Sequence, residues 1–150
     1  MNVVSDSSAD RAALEAWLLR WTAFIAAGDT ASARHLFDEQ VLGFGTVATR
    51  ADGLENLLQS QWGQVWNRTR GFRFRLDTMR CWHGDGLHGL AVQWDSTGLE
   101  AGTGAPFWRH GRATVLLRGR GDGLRAVHTH FSVDPLPEAF LPVADLGKVV

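Results

Sequence analysis

Two histidines near the carboxyl end of the sequence, His128 and His130, are the residues best suited to acid–base chemistry. They are two positions apart in a segment that alternates like a β-strand, so their side chains share one face. If that face lines a cavity, either ring could act as a general acid or base near neutral pH. Asp38, Asp95 or Glu100 would then be the orienting carboxylate. The alternative is a structural pair that bonds across the sheet or lies in a subunit interface.

The same pair could supply two metal ligands, with His88 or His110 as a third. A zinc site needs three or four converging groups, and the sequence places only two of them together. The turn sequence from Gly119 to Gly123 is too short to cradle a phosphate. We therefore predict neither a metal site nor a cofactor.

Arg109 and Arg112 lie on one predicted strand, with small residues on both sides of Arg112. Strand alternation puts these two arginines on opposite faces, so at most one points inward unless a bulge intervenes. An inward guanidinium would bind a carboxylate or enolate through two parallel hydrogen bonds. The alternative is an outward Arg112 that pairs with Asp77 or Glu100 across strands.

Aromatic residues are abundant, with seven tryptophans and eight phenylalanines, but tyrosine is absent. We expect Trp21, Trp66 and Trp94 to line an apolar pocket for a flat or cyclic ligand. Packing within the core better explains Trp17 and Trp62. The lack of tyrosine removes one common acid and oxyanion donor.

Nucleic-acid binding is not expected, although arginines at 68, 70, 73 and 75 alternate with Phe72 and Phe74. On a strand these phenylalanines face away from Arg73 and Arg75, so charge and stacking cannot share one surface. The net charge of -1 also lacks the basic excess of a nucleic-acid binder.

Hydrophobic periodicity predicts an α+β domain in which three helices precede a set of long strands. The helices are predicted at 10–27, 29–37 and 52–66, and the strands at 41–46, 72–82, 86–95, 107–118 and 124–133. We expect a curved antiparallel sheet, bent at Gly45, Gly89 and Gly111, that wraps around the helices and leaves a conical cavity. Prolines predict an irregular tail over 135–150.

Three stretches carry a family resemblance: Ala27-Gly28-Asp29 leading to Leu36-Phe37, Gly111 to Leu116, and Val127-His128-Thr129-His130-Phe131-Ser132. In this order they resemble the nuclear transport factor 2-like superfamily, in its SnoaL-like and ketosteroid-isomerase-like branch. The third stretch is similar to the end of the calcium/calmodulin-dependent kinase II association domain. The resemblance covers about residues 9–134 and implies a cone-shaped, cystatin-like fold.

Ketosteroid isomerases use an aspartate base, a tyrosine and a protonated aspartate. By resemblance, the base position falls near Gly45 and the tyrosine position near Trp21. The second donor falls near Arg112 or Ala113, neither of which is an acid. Tyrosine-based dehydratase sites of this superfamily are likewise incomplete, so orthodox isomerase chemistry is not expected.

The chain of 150 residues is predicted to form one domain, 1–150, without a signal peptide or membrane span. The single Cys81 fits a reducing, cytoplasmic environment. We expect a homodimer through the outer sheet face, carried by apolar residues such as Val127, Thr129 and Phe131 or their counterparts. Two functions stay open: an isomerase, lyase or cyclase acting on a small molecule, and a non-catalytic domain for ligand binding or oligomer assembly.

Overall fold

The computed structural model describes residues 4–5 and 8–135, with helical segments on one side of a long sheet. The first helical segment comprises α1 (Ser8–Ala27), α2 (Thr30–Ala33) and a 3₁₀ turn (Arg34–Leu36). The second comprises α3 (Leu54–Leu57), a π-helical turn (Leu58–Trp62), α4 (Gly63–Val65) and a 3₁₀ turn (Trp66–Arg68). Three helical regions were predicted at nearly these positions.

Most of the strands are longer than their hydrophobic alternation predicts, and two strands of two residues each were not predicted. They are β1 (Val4–Ser5), β2 (Phe37–Phe44), β3 (Ala51–Asp52), β4 (Thr69–Gly84), β5 (Leu87–Leu99), β6 (Pro106–Arg118) and β7 (Arg125–Val133). The second helix ends earlier than predicted, because Phe37 already begins β2. The predicted tail lies outside the described residues apart from Pro135.

One seven-stranded sheet has the order β1-β4-β5-β6-β7-β2-β3. Strands β4 to β7 form an antiparallel meander, as predicted. The prediction of a wholly antiparallel sheet is wrong at one place, because β2 pairs with β7 in parallel. The alternation of side chains along a strand does not encode the direction of its neighbour, so this pairing had no signal in the sequence.

Register shifts interrupt the pairing of β4 with β5 at two places, between Arg70 and Arg73 and between Arg75 and Arg80. Such bulges bend and twist a strand. The guanidinium of Arg11 on α1 donates to the backbone carbonyl oxygens of Leu76 (3.1 Å) and Met79 (2.9 Å) within the second irregular stretch. This contact fixes the start of α1 against the bent strand.

Gly111 allows a close approach rather than a bend. A Cβ atom there would lie 2.0 Å from the carbonyl oxygen of Ser132 and 2.3 Å from the Trp94 ring. Gly45 similarly leaves room for Gln61, whose Oε1 would lie 2.3 Å from an added Cβ. Both glycines therefore admit a larger side chain to the interior.

The core lies between α1 and the concave face of the sheet. Trp17 and Leu18 are fully buried on α1, and Leu90 and Val115 are fully buried on β5 and β6. The indole N–H of Trp17 donates to the Leu36 carbonyl at 3.2 Å, which satisfies its one polar atom. Burial of these side chains supplies the main driving force for folding.

The two sheet faces differ from the prediction on β7. Thr129 is buried, and Phe131 packs on Trp21 with ring centroids 5.4 Å apart, so both side chains are on the concave face. The expectation that Thr129 and Phe131 cover an outer apolar face is wrong. Arg73 and Arg75 lie on the exposed face opposite Phe74, as predicted.

Candidate functional site

A cavity of about 50 Å³ lies between α1, the second helical segment and the concave face of the sheet. Its walls are mainly aromatic and aliphatic. The lining residues are Trp21, Ile25, Thr46, Gln61, Trp62, Val65, Trp66, Thr69, Phe72, Arg109 and Phe131. Trp62 and Trp66, one helical turn apart, stack at 4.6 Å and form one wall.

Arg109 is the one charged side chain among the described residues that line this cavity. Its guanidinium lies over the Trp94 ring, 5.2 Å from the centroid, and donates to Thr46 Oγ1. Burial lowers the pKa of Arg109, and no described carboxylate pairs with it to offset that effect. A cation in this position retains N–H groups that can bind an anion.

Thr46 receives two hydrogen bonds, one from Arg109 and one from Gln61 Nε2 at 3.0 Å. These two contacts occupy both lone pairs of its hydroxyl oxygen, so its own hydrogen is left to donate. Gln61 is held in turn, because its Oε1 accepts from the backbone N–H groups of Val47 (3.0 Å) and Ala48 (2.8 Å). The polar end of the cavity is therefore a fixed set of donors.

The indole N–H of Trp21 is another donor in the cavity wall. It is buried and has no hydrogen-bond partner in the structure. Buried donors are rarely left unpaired, because the lost hydrogen bond costs about 1–3 kcal/mol.

A more open groove of about 310 Å³ adjoins the cavity and shares Val65, Thr69 and Arg109 with it. The groove is also lined by Gln64 and Phe107. Arg109 therefore lies between the mainly apolar cavity and the more open groove.

The structure places three of the predicted ligand-binding residues, Trp21, Trp66 and Arg109, in the cavity lining. Trp94 is buried next to this lining and contacts Arg109. Arg112 is outward and half exposed, where it donates to Ser132 Oγ at 3.2 Å. As expected from alternation, one of the two arginines points inward.

His128 and His130 do not line the cavity. Their neighbours on β6, Leu116 and Thr114, alternate with the buried Val115, so both rings lie on the convex face. His128 Nδ1 donates to the Leu42 carbonyl at 2.7 Å and ties β7 to β2. The condition on which the acid–base prediction rested, a concave His face, is not met.

His110 is also on the convex face, where its Nδ1 lies 2.8 Å from Asp95 Oδ1. Arg73 contacts the other oxygen of Asp95 at 3.2 Å. Burial, the largest single influence, raises the pKa of Asp95, but hydrogen bonds and charge from His110 and Arg73 outweigh it and leave the pKa lowered. His110 therefore does not join His128 and His130 in a metal site.

Sequence reasoning missed Thr46, Gln61, Thr69 and Phe72 as cavity residues. Thr46 follows β2 in an irregular segment, and Gln61 lies in the π-helical turn, where the usual helical spacing fails. Sequence reasoning also missed a cluster away from the cavity. In it, Asp10, His83 and His88 offer possible metal-ligand atoms that lie within 4.8 Å of one another.

A family model for the SnoaL-like domain matches residues 14–136, which include α2 to β7 and most of α1. The chain belongs to the SnoaL-like family. No relative of this SnoaL-like chain is found among curated proteins.

Solved structures resemble the SnoaL-like chain over most of its length. A nuclear transport factor 2-like superfamily protein from Salmonella enterica is 16% identical with a TM-score of 0.73, covering 88% of this chain and 96% of its own. A ketosteroid isomerase-like protein from Erwinia carotovora is 13% identical with a TM-score of 0.70, covering 87% and 100%. A Xanthomonas campestris protein described as a calcium/calmodulin-dependent kinase II association domain is 16% identical with a TM-score of 0.64, covering 81% and 86%.

These similarities confirm the predicted fold, an α+β domain with a curved sheet and cystatin-like relatives. Among the described residues of the SnoaL-like chain, no helix is both long and apolar enough to cross a membrane.

Proposed function

We propose that this SnoaL-like domain binds a small organic acid, with the carboxylate on Arg109 and the apolar part among the tryptophans. The observation that carries the proposal is a guanidinium at the edge of an apolar cavity without a described carboxylate partner. A partly buried cation of this kind loses part of its hydration, and an anion would compensate for that loss. A ligand carboxylate would do so with two parallel hydrogen bonds.

The other polar groups support an anionic ligand. The Thr46 hydroxyl keeps its own hydrogen to donate, because Arg109 and Gln61 occupy both lone pairs of its oxygen. None of the described residues lining this cavity carries a carboxylate that would repel an acid. The cavity therefore complements a carboxylate better than an amine or a neutral alcohol, whereas Glu100 lies in the lining of the adjoining groove.

The size of the cavity limits the ligand. Its volume of about 50 Å³ corresponds to roughly three to five water-sized positions. A short-chain or small cyclic monocarboxylic acid fits this space, with any longer substituent in the adjoining groove. A steroid-sized ligand would require the walls to move apart.

The proposal favours binding over acid–base turnover. No imidazole or carboxylate lies among the described residues of the cavity wall, so proton abstraction beside a carbonyl lacks a base there. The isomerase, lyase or cyclase alternative would need a base supplied by the ligand or by a residue outside this wall.

The test measures binding of unbranched carboxylic acids of increasing chain length to the purified protein. Three tryptophans line the cavity, so intrinsic fluorescence should report binding directly. We expect affinity to rise and then fall with chain length, and R109M to weaken binding about 10–100-fold. R112M, on the opposite face of the same strand, is the matched control and should bind normally. Equal affinity in R109M and wild type would refute the carboxylate site.

We also propose that the domain forms a homodimer through its convex sheet face. Trp82 and Trp108 are 40% and 79% exposed there, and tryptophan is enriched at protein interfaces. A second copy of the same face would cover both rings. We expect W82E/W108E to sediment as a monomer, whereas L19E, an exposed leucine on α1, keeps the wild-type mass. A dimer that survives the double substitution would refute this interface.

A further inference from the structure

We propose that Asp10, His83 and His88 form a binding site for one divalent transition-metal ion of the zinc type. One ligand atom from each of the three side chains lies within 4.8 Å of the other two. Two imidazoles and one carboxylate are a ligand set that zinc uses, with a fourth position left for water. The site is separate from the acid-binding cavity and does not depend on it.

The β4–β5 hairpin brings the two histidines together. Its turn consists of Asp85 and Gly86, both with positive φ (51° and 75°), as in a two-residue type I′ turn. This turn fixes the register so that His83 and His88 are directly opposite each other. Their Nδ1 atoms are 2.6 Å apart.

The orientation of His88 is suited to a metal ligand. Its Nε2–H donates to the Gly119 carbonyl at 3.0 Å, because a carbonyl oxygen can only accept. In the neutral ring, Nδ1 then carries a lone pair that points at His83. A backbone carbonyl that holds the second ring nitrogen is the usual support of a metal-bound histidine.

The hydrogen bond between the histidines leaves one ring nitrogen of His83 without a partner. His83 is 8% exposed, and its Nε2 is buried without a hydrogen-bond partner. Each neutral tautomer of His83 therefore leaves a ring nitrogen unsatisfied inside the protein. In its Nδ1–H tautomer, neutral His83 donates to the lone pair of His88 Nδ1. A metal ion would take the place of that one proton, bound by both Nδ1 lone pairs, and the hydrogen of His83 would then lie on Nε2.

Asp10 is placed at this hairpin by the same contact that fixes α1 to β4. Its neighbour Arg11 bonds the backbone of Leu76 and Met79, so the start of α1 cannot move away from the sheet. The cluster lies in an open depression lined also by Asp85 and Arg120, which gives an ion access from solvent.

Zinc binding requires only a small rearrangement. Tetrahedral bonds of 2.0–2.1 Å separate two nitrogen ligands by about 3.3 Å, so the imidazoles would move apart by about 0.7 Å. Side-chain rotation achieves this without breaking the hairpin. The bound ion would then connect α1 to the β4–β5 hairpin and stabilise the folded state.

The experiment titrates the untagged protein with zinc chloride in calorimetry, and with cobalt chloride while the visible spectrum is recorded. We expect one ion per chain, tetrahedral cobalt bands and a higher Tm with zinc. D10N should weaken zinc binding at least about 10-fold and H83Q at least about 100-fold, since each removes a ligand. H35Q, at an exposed histidine on the first 3₁₀ turn, is the control and should bind as wild type does.

Three results would overturn the proposal: no zinc uptake by the wild-type protein, unchanged affinity in D10N, or equal loss in H35Q. If H83Q does not fold, D10N decides, because Asp10 is only half-buried at a helix start and Asn has nearly the same shape. Circular dichroism of each variant without metal shows whether the fold is intact.

Discussion

Replacing Arg109 by methionine should make the protein without ligand more stable while it removes acid binding. The substitution keeps an unbranched side chain in the cavity wall and deletes the charge. It also deletes the hydrogen bond to Thr46 and the contact with the Trp94 ring. The stability of R109M therefore depends on two opposing effects. Two contacts are lost, and a charged group no longer has to be partly buried.

Whether R109M is more or less stable than wild type depends on the size of each contribution to the free energy of unfolding. A hydrogen bond from a charged donor contributes about 1.5–3 kcal/mol, and a cation over an aromatic ring about 0.5–2 kcal/mol. Against them stands the cost of desolvating a guanidinium that has no described carboxylate partner, several kcal/mol per ion, together with about 1 kcal/mol from the extra apolar burial of methionine. The two lost contacts together contribute about 2–5 kcal/mol, and the relieved burial contributes about 5 kcal/mol if desolvation costs about 4 kcal/mol. At the midpoint of the losses we expect a net gain of about 1–2 kcal/mol in the free energy of unfolding.

Urea unfolding and thermal unfolding measure this gain, which corresponds to a rise in Tm of about 2–8 °C for a chain of this size. R112M is the control, because Arg112 is outward and half exposed, and it should change stability by less than about 0.5 kcal/mol. A clear fall in the stability of R109M, with R112M unchanged, would mean that the guanidinium is a structural group. An anionic ligand would then not be needed to compensate the charge of Arg109.

Other substitutions test the faces and contacts of the sheet. G111A should lower the free energy of unfolding in urea by about 3 kcal/mol or more, since its Cβ would overlap the Ser132 carbonyl oxygen. G123A is the control and should unfold like wild type. Similar losses in both variants would contradict the close approach at Gly111. D95N should be about 0.5 kcal/mol less stable than wild type above pH 3.8, the ordinary pKa of the carboxyl group, because the pKa of Asp95 is lowered in the folded state. This difference in stability should vanish as acid protonates Asp95. A difference that stays constant with pH would exclude the ion pairs as its cause. H130Q should bind carboxylic acids with wild-type affinity in the fluorescence titration, because His130 is exposed on the convex face; weakened binding would return it to the site.

Strand alternation predicted much of the fold because each side of a strand meets a different environment. It separated Arg109 from Arg112, and Phe74 from Arg73 and Arg75, and the structure has both separations. Alternation gives two sets of side chains but does not say which set is inside when both are mixed in polarity. For Arg109 and Arg112 that choice depends on the curvature of the whole sheet.

The histidines on β7 show the same limit more sharply. Between Ala126 and His128 the register with β6 shifts, so alternation counted from Ala126 gives the wrong face beyond the irregularity. Thr129 faces the interior although it is polar, and His128 faces outward although it is half-buried. Residue type alone could not have separated these cases.

The His83–His88 pair, in contrast, had a usable signal. Asp85-Gly86 is a strong type I′ turn sequence. Such a turn places the residue two positions before it directly opposite the residue two positions after it, here His83 and His88. Only the approach of Asp10 from α1 was beyond reach, because it depends on packing between distant elements.

The parallel pairing of β2 with β7 imposes an order on folding. His128 and Leu42 are 86 residues apart, whereas the β4–β5 and β6–β7 hairpins close over a few residues. Short loops close at lower entropic cost, so the meander should form first and β2 should dock last. At a synthesis rate of about 5–20 residues per second, the 86 residues from Leu42 to His128 take roughly 4–17 s to synthesise, so β2 is without its partner strand for that time. Until then one edge of β2 is open to other chains, and Thr46, which follows β2, cannot yet complete the donor end of the cavity.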